Sequence, residues 1–389
     1  MTWLETAQSE LQNGGLAAWL IYDFRGINPV MKRFLDVGNS FLTRRVFFLI
    51  PAQGQPTLLV HAIEFKSLPE LPYKVASYSS HESLEDVLKD ILPKGKVAME
   101  YSPNNDIPYV SHVDAGTVEM IRGLGAEVLS SGDLLQAFSA WTPAQLEAHL
   151  KAVEHVLQAK DIAFEFVSLQ TQMGNSLRET DVQKVITDYF DSHDLIYDHP
   201  PIIGFGPHAG DPHYSPVAGS DAYLEEGAVL MDIWAKLPRD DAPYADITWM
   251  GCYGEPSADL QTVWETVRDA RDLAVKTIQE AYDAGRYPQG LEIDRATRDF
   301  IASKGHGEAF IHRTGHSIGN RHTHGEAVHL DDFETRDTRD LRPGIAVTVE
   351  PGVYLEEFGV RSEINLVLEK SGPRVTTDAQ TDLIIIPAR

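Results

Sequence analysis

Five polar side chains stand where the surrounding sequence is apolar: Asp232, Asp246, His316, Glu350 and Glu363. Asp232 interrupts the strand-like run 228–234. Asp246 repeats the pattern in 244–249, after a turn-rich stretch holding Pro238, Asp240, Asp241 and Pro243. That spacing predicts the two arms of a hairpin with the carboxylates side by side. Glu350 ends the run 345–349 and Glu363 precedes 364–368, and both runs read as sheet interior. A carboxylate taken out of water loses roughly several kcal/mol unless it is paired or bound to a cation. Four carboxylates and one imidazole carry too much negative charge for a single ion. Two divalent ions about 3.5–4 Å apart, sharing carboxylates, would balance it and activate a water held between them. Oxygen-rich ligands with one nitrogen suit manganese first, with cobalt, zinc or iron as alternatives.

These side chains need elements to hold them. In the first part of the chain, 16–22, 46–50, 57–61, 74–78 and 96–100 read as strands, and 82–92 and 115–123 have helical spacing. This predicts an α/β domain over 1–140. Thr142-Pro143-Ala144-Gln145 is a helix start, with Thr142 as N-cap and Pro143 at the first helical position, followed by Leu146, Leu150, Val153 and Leu157 at helical spacing. Further helices are expected over 178–193, 258–284 and 293–303. Alternating with strand pairs, they make 141–389 an α+β catalytic domain. The glycine-rich stretch 204–210 lacks the helix start that a phosphate-cradling loop needs behind it.

Composition narrows the partners. With 58 Asp and Glu against 33 Lys and Arg the net charge is −25, a field that repels nucleic acid and anionic membrane surfaces. The single cysteine, Cys252, offers neither an internal disulfide nor a zinc cluster. The acidic start Met1-Thr2-Trp3-Leu4-Glu5 does not read as a secretory signal, and no apolar run is long enough to cross a bilayer, so a cytoplasmic location is expected.

The ordered set of Asp232, Asp246, His316 in Gly315-His316-Ser317-Ile318-Gly319, Glu350 in Glu350-Pro351-Gly352, and Glu363 after Arg361 resembles the pita-bread metallopeptidases. That group holds prolidase, aminopeptidase P, methionine aminopeptidase and creatinase. The motifs cover 200–365, and the first domain resembles the smaller creatinase-type domain that precedes the catalytic half in prolidase and aminopeptidase P. The resemblance implies that Asp232 is a terminal ligand of one metal and that Asp246 and Glu363 bridge the two. His316 and Glu350 would complete the second metal, with Glu350 also taking the proton of the bridging water. It implies that His213, His312 and His324 are pocket histidines, His324 donating to the developing oxyanion, and that Arg361 supports the carboxylates from behind. His306, His322 and His329 are read as bystanders, with His322 the competitor of His324 for the oxyanion role. A homodimer is also implied.

The expected reaction is hydrolysis of an Xaa-Pro peptide bond by a metal-bridged hydroxide, with Xaa-Pro dipeptides favoured as substrates. Such a dipeptidase needs a cation for the free carboxylate, and Arg321, Arg336 and Arg339 are the candidates in the charge-rich stretch after His316. Aminopeptidase P or carboxypeptidase-like use of the same pocket, a creatinase-like C–N hydrolase, and a catalytically silent binding protein are the other readings.

Overall fold

The computed structural model describes residues 2–38, 40 and 42–388. The chain divides into two compact units, Met1–Phe138 and Ser139–Arg389.

The first unit runs α1 (Trp3–Asn13), β1 (Ala18–Phe24), α2 (Pro29–Phe34), β2 (Arg45–Pro51), β3 (Thr57–His61), α3 (Ala62–Phe65), β4 (Lys74–Tyr78), α4 (His81–Ile91), β5 (Lys96–Met99), α5 (Ala115–Gly123), β6 (Glu127–Ser130) and α6 (Gly132–Ala137). Its strands form one mixed sheet in the order β4-β3-β2-β1-β5-β6. Alternation along the strands sends Leu20, Tyr22, Phe47 and Leu49 to one face, under Leu84 and Leu88 of α4 and Ile121 of α5. Trp19, Ile21, Phe48 and Ile50 go to the other face, under Leu11 of α1, Phe34 of α2 and Leu134 of α6. Both faces are buried, which is why the strands read as nearly continuous apolar runs. The short helices α2, α3 and α6 and the strand β6 have too few residues for a periodic signal and were not legible in the sequence.

The second unit opens with α7 (Pro143–Met173), where Thr142 and Gln145 form a reciprocal capping box and Pro143 fills the first turn, and continues with α8 (Glu179–Ser192). Then come β7 (Ile202–Phe205), β8 (Gly227–Ala235), β9 (Ala245–Tyr253), α9 (Ala258–Asp283), α10 (Gly290–Ser303), β10 (Ala346–Val349), β11 (Gly352–Tyr354), β12 (Gly359–Arg361), β13 (Ile364–Glu369), β14 (Gly372–Val375) and β15 (Ile384–Ile386). They form sheets β15-β9-β8-β7, β10-β13-β14 and β11-β12.

The odd-numbered residues of β8 and β9 (Val229, Met231, Ile233, Ala245, Ile247) pack on α7 and α8. The even-numbered Ala228, Leu230, Met250 and Cys252 pack on the other side, with Trp264 and Val267 of α9. Asp232, Asp246 and Thr248 share that second face by the two-residue period. Among the described residues no helix is long and apolar enough to cross a membrane.

Candidate metal centre

β8 and β9 form the expected hairpin, but its carboxylates are not directly opposed. The register pairs Asp232 with Thr248 and Trp234 with Asp246, so the two acids are diagonal neighbours on one face. β10 and β13 are antiparallel neighbours, Val349 facing Ile364. Glu350 and Glu363 therefore leave adjacent strand ends together. Asn365 ties this sheet to the hairpin: its Oδ1 accepts the Asp246 N–H at 3.0 Å and its Nδ2 donates to the Asp246 carbonyl at 2.6 Å.

His316 lies on extended backbone, with Gly315 bridged to Leu330 and Ser317 to Val347, so the four-residue spacing from His312 is not helical. Gly315 permits this approach, since a Cβ there would lie 2.2 Å from the Thr348 carbonyl oxygen.

Asp232, Asp246, His316 and Glu363 are buried and Glu350 is half-buried. One ligand atom from each of Asp246, His316 and Glu363 falls within 4.8 Å of the others. His316 Nδ1 donates to the Ser317 carbonyl at 2.9 Å, which turns Nε2 inward, 3.5 Å from Asp246 Oδ2 and 3.5 Å from Glu350 Oε1. A ring nitrogen facing two carboxylates needs a positive charge there, supplied by a proton on the ring or by a cation between the groups.

Two threonines complete the shell. The Thr348 hydroxyl accepts the His316 N–H at 3.0 Å and donates to Glu350 at 3.1 Å. The Thr248 hydroxyl accepts from Arg361 Nε at 3.0 Å and donates to Glu363 Oε2 at 2.9 Å.

Arg361 also pairs directly with Asp232, and its Nη1 donates to Tyr354 Oη at 3.1 Å. Tyr354 in turn donates to His312 Nε2 at 2.7 Å, because His312 Nδ1 is committed to the Arg313 carbonyl at 2.7 Å. Even with Arg361 in place, Asp232 Oδ1 and Glu363 Oε1 are buried without a hydrogen-bond donor. Those two orphaned oxygens fit a divalent cation and fit poorly with a purely structural ion-pair cluster.

The electrostatics agree with the geometry. Burial, reinforced by Asp246 and Glu350, pushes Asp232 up to about 7 despite Arg361. Burial also raises Asp246, and lifts Glu363 well above the carboxylate range. His316 is pulled down by burial, but Asp246 and Glu350 outweigh this and hold it above its ordinary value. Burial takes His312 down to about 4.

The five residues floor a cleft of about 910 Å³ that His213, His312, His322, His324, Arg313, Glu334 and Asp198 also line. His324 stacks on His316 with ring centroids 3.8 Å apart, so of the two competing histidines it is the one in ring contact with the cluster. His213 is exposed on the segment after β7. His329, read as a bystander, is buried outside the cleft lining, where its Nδ1 accepts the N–H of Ser317 at 3.1 Å.

Of the arginines expected to serve a substrate carboxylate, Arg339 does not fit. It is buried against Asp337 and spent on the carbonyls of Glu326 and Ala327. Arg321 and Arg336 are exposed and outside the cleft lining.

Sequence reasoning also missed Glu179, the first residue of α8. Its fully buried carboxylate accepts from Phe205 N–H at 2.8 Å, His208 Nδ1 at 3.0 Å, Tyr214 Oη at 2.6 Å and Ala222 N–H at 2.8 Å. Tyr354, Thr248, Thr348 and Asn365 gave no signal either, because their importance lies in partners distant in sequence.

Comparison with known proteins places the chain in a family. The family model described as metallopeptidase family M24 matches residues 147–370, more than half of the chain. A Bacillus subtilis (strain 168) peptidase, YqhT, is 35% identical over 187 residues, 48% of this chain and 48% of its own length. A Lactobacillus helveticus protein named Xaa-Pro dipeptidase is 33% identical over 190 residues, 48% of this chain and 47% of its own. The chain thus spans about half the length of these curated relatives. The crystal structure of dipeptidase PepE from Mycobacterium ulcerans superposes with a TM-score of 0.66 at 23% identity, covering 99% of this chain and 97% of that one. The arrangement of the second unit is the pita-bread fold, and the chain belongs to metallopeptidase family M24.

Proposed function

We propose that this chain hydrolyses Xaa-Pro peptide bonds, with Xaa-Pro dipeptides as its preferred substrates, and that Asp232, Asp246, His316, Glu350 and Glu363 hold two divalent ions, manganese foremost. The observation that carries the reading is the pair of donorless buried oxygens, Asp232 Oδ1 and Glu363 Oε1, beside an imidazole nitrogen turned toward two carboxylates. When bound, the ions would polarise the scissile carbonyl and make a water acidic enough to attack near neutral pH.

The protein's own groups supply the rest. Asp246 and Glu363 would be the carboxylates shared between the ions, Asp232 would serve one ion alone, and His316 and Glu350 would complete the second site. Glu350 takes the proton released by the attacking water, its position fixed by the Thr348 hydroxyl. His324, stacked on His316 at the cleft wall, donates to the developing oxyanion. His213, which also lines the cleft, passes a proton to the departing proline nitrogen. His312 is assigned a positioning part, because both of its ring nitrogens are already engaged, by Tyr354 and by the Arg313 carbonyl. The proline nitrogen carries no N–H, so the ring must be recognised by shape, for which Trp234, Ile202 and Ile311 line the cleft.

The test is hydrolysis of Ala-Pro and of Ala-Pro-Ala by chelator-stripped protein before and after adding manganese. Metal-dependent cleavage of the dipeptide supports the proposal, and release of alanine from the tripeptide alone moves the chain to the aminopeptidase reading. Absence of cleavage of both with manganese, cobalt, zinc or iron sinks it.

A further inference from the structure

Among the described residues, Arg313 is the one arginine besides Arg361 that lines the cleft. Its side chain is 11% exposed, it is ion-paired with Glu334, and its Nε lies 3.8 Å from Asp331 Oδ2. The two carboxylates around it are not equivalent. Asp331 is fully buried and spent on its own turn, accepting from the N–H groups of Phe333, Glu334 and Thr335 and from the Thr335 hydroxyl. Glu334 is 37% exposed, lines the cleft, and grips residue 313 with both oxygens: one on the guanidinium, the other accepting the Arg313 backbone N–H at 2.9 Å. Glu334 is therefore the carboxylate that a solute in the cleft can displace.

We propose that Arg313 receives the free carboxylate of a dipeptide substrate, and that Glu334 is an internal stand-in that holds the guanidinium until the substrate replaces it. The proposal rests on the peptidase reading of this cleft and names the group that reads the end of the substrate. A guanidinium presents parallel N–H donors to any carboxylate, so exchanging Glu334 for a substrate terminus conserves the charge-assisted hydrogen bonds. An amide, or a chain that continues past proline, brings no negative charge, and Glu334 keeps its place. The pair therefore discriminates by penalty as well as attraction: every dipeptide must compete with a carboxylate already built in. Arg339 is committed to Asp337 and to two carbonyls, and Arg321 and Arg336 lie outside the cleft lining, which leaves Arg313 for the task.

The experiment compares wild type, Arg313→Met and Glu334→Gln. Turnover is read as the ratio of kcat/KM for Ala-Pro to that for Ala-Pro amide with manganese. Binding is read as the affinity for proline and for prolinamide by ligand-observed NMR, with and without manganese. Arg313→Met is expected to lower the acid-to-amide ratio and the proline affinity by about tenfold or more, the size of one charge-assisted hydrogen bond. Glu334→Gln is expected to raise both by several-fold. A ratio and a proline preference unmoved by both variants, or lowered by Glu334→Gln, overturns the proposal. The binding arm needs no turnover, so a chain that cleaves neither peptide fails the peptidase reading yet still shows whether the pair recognises a carboxylate. Glu334 is a half-exposed loop residue, so its variant is informative even if Arg313→Met does not fold.

Discussion

Arg361→Met separates a positive charge that supports the carboxylates from one that competes with metal for them. Arg361 is 4% exposed and donates to Asp232, to Thr248 at 3.0 Å and to Tyr354 at 3.1 Å. Methionine keeps length and apolar contact while deleting every donor. Leaving a buried carboxylate without its partner costs about 3–5 kcal/mol. In a unit of about 250 residues each kcal/mol moves the midpoint by about 2–4 °C, so the metal-free variant should unfold roughly 10 °C lower than wild type.

With saturating manganese, a divalent cation held as proposed would take over the compensation of Asp232, and much of that loss should be recovered. The assay is thermal unfolding of both proteins in chelator and in manganese at fixed protein concentration. The expected result is a larger metal-induced gain in the variant than in wild type. An equal or smaller gain refutes the reasoning, because it would mean that Arg361 builds the site that the metal needs.

Gly315→Ala puts a Cβ 2.2 Å from the Thr348 carbonyl oxygen, and Thr348 holds both the His316 N–H and Glu350. Overpacking of this kind costs about 1–3 kcal/mol, and displacing such supporting contacts weakens metal binding by about 10–100-fold. Urea denaturation and metal titration check both, and wild-type metal affinity in the variant counts against the contact. In the first unit, Glu100 is fully buried on Trp19, Asn28 and Ser131 and burial pushes it up to about 7. A carboxylate raised on folding contributes stability that is present below its ordinary value and lost as pH rises through 7. The first unit should therefore loosen between pH 5 and 8, measured by amide exchange in β1 and β5, and Glu100→Gln should flatten that slope; an unchanged slope excludes Glu100 as its source.

The metal-ligand candidates were legible because burial is written into their neighbours: a carboxylate inside 228–234 or beside 364–368 has to be explained by something local. The supporting residues were not legible for the opposite reason. Thr248, Thr348 and Asn365 are ordinary strand residues whose partners, Glu363, His316 and Asp246, lie far away in sequence. The hairpin was correct in kind, but a shift of two residues decides whether Asp232 faces Asp246 or Thr248, and apolar alternation looks the same in either register. The arginines were misjudged because charge density in 321–342 suggested a binding surface. Folding instead spends Arg339 on Asp337 and brings Arg313, three residues before His316, into the cleft.

The four donors gathered by Glu179 separate two properties of the segment after β7 that are usually coupled, its length and its placement. Phe205, His208 and Tyr214 anchor the incoming side and Ala222 the outgoing side on the same carboxylate, so the stretch from Ser215 to Ser220 hangs from a fixed clasp. Residues can be added to or removed from that stretch without shifting the turn that carries His213. Of that stretch only Ser215 lines the cleft, so a change of loop length beyond it would leave the wall that carries His213 in place.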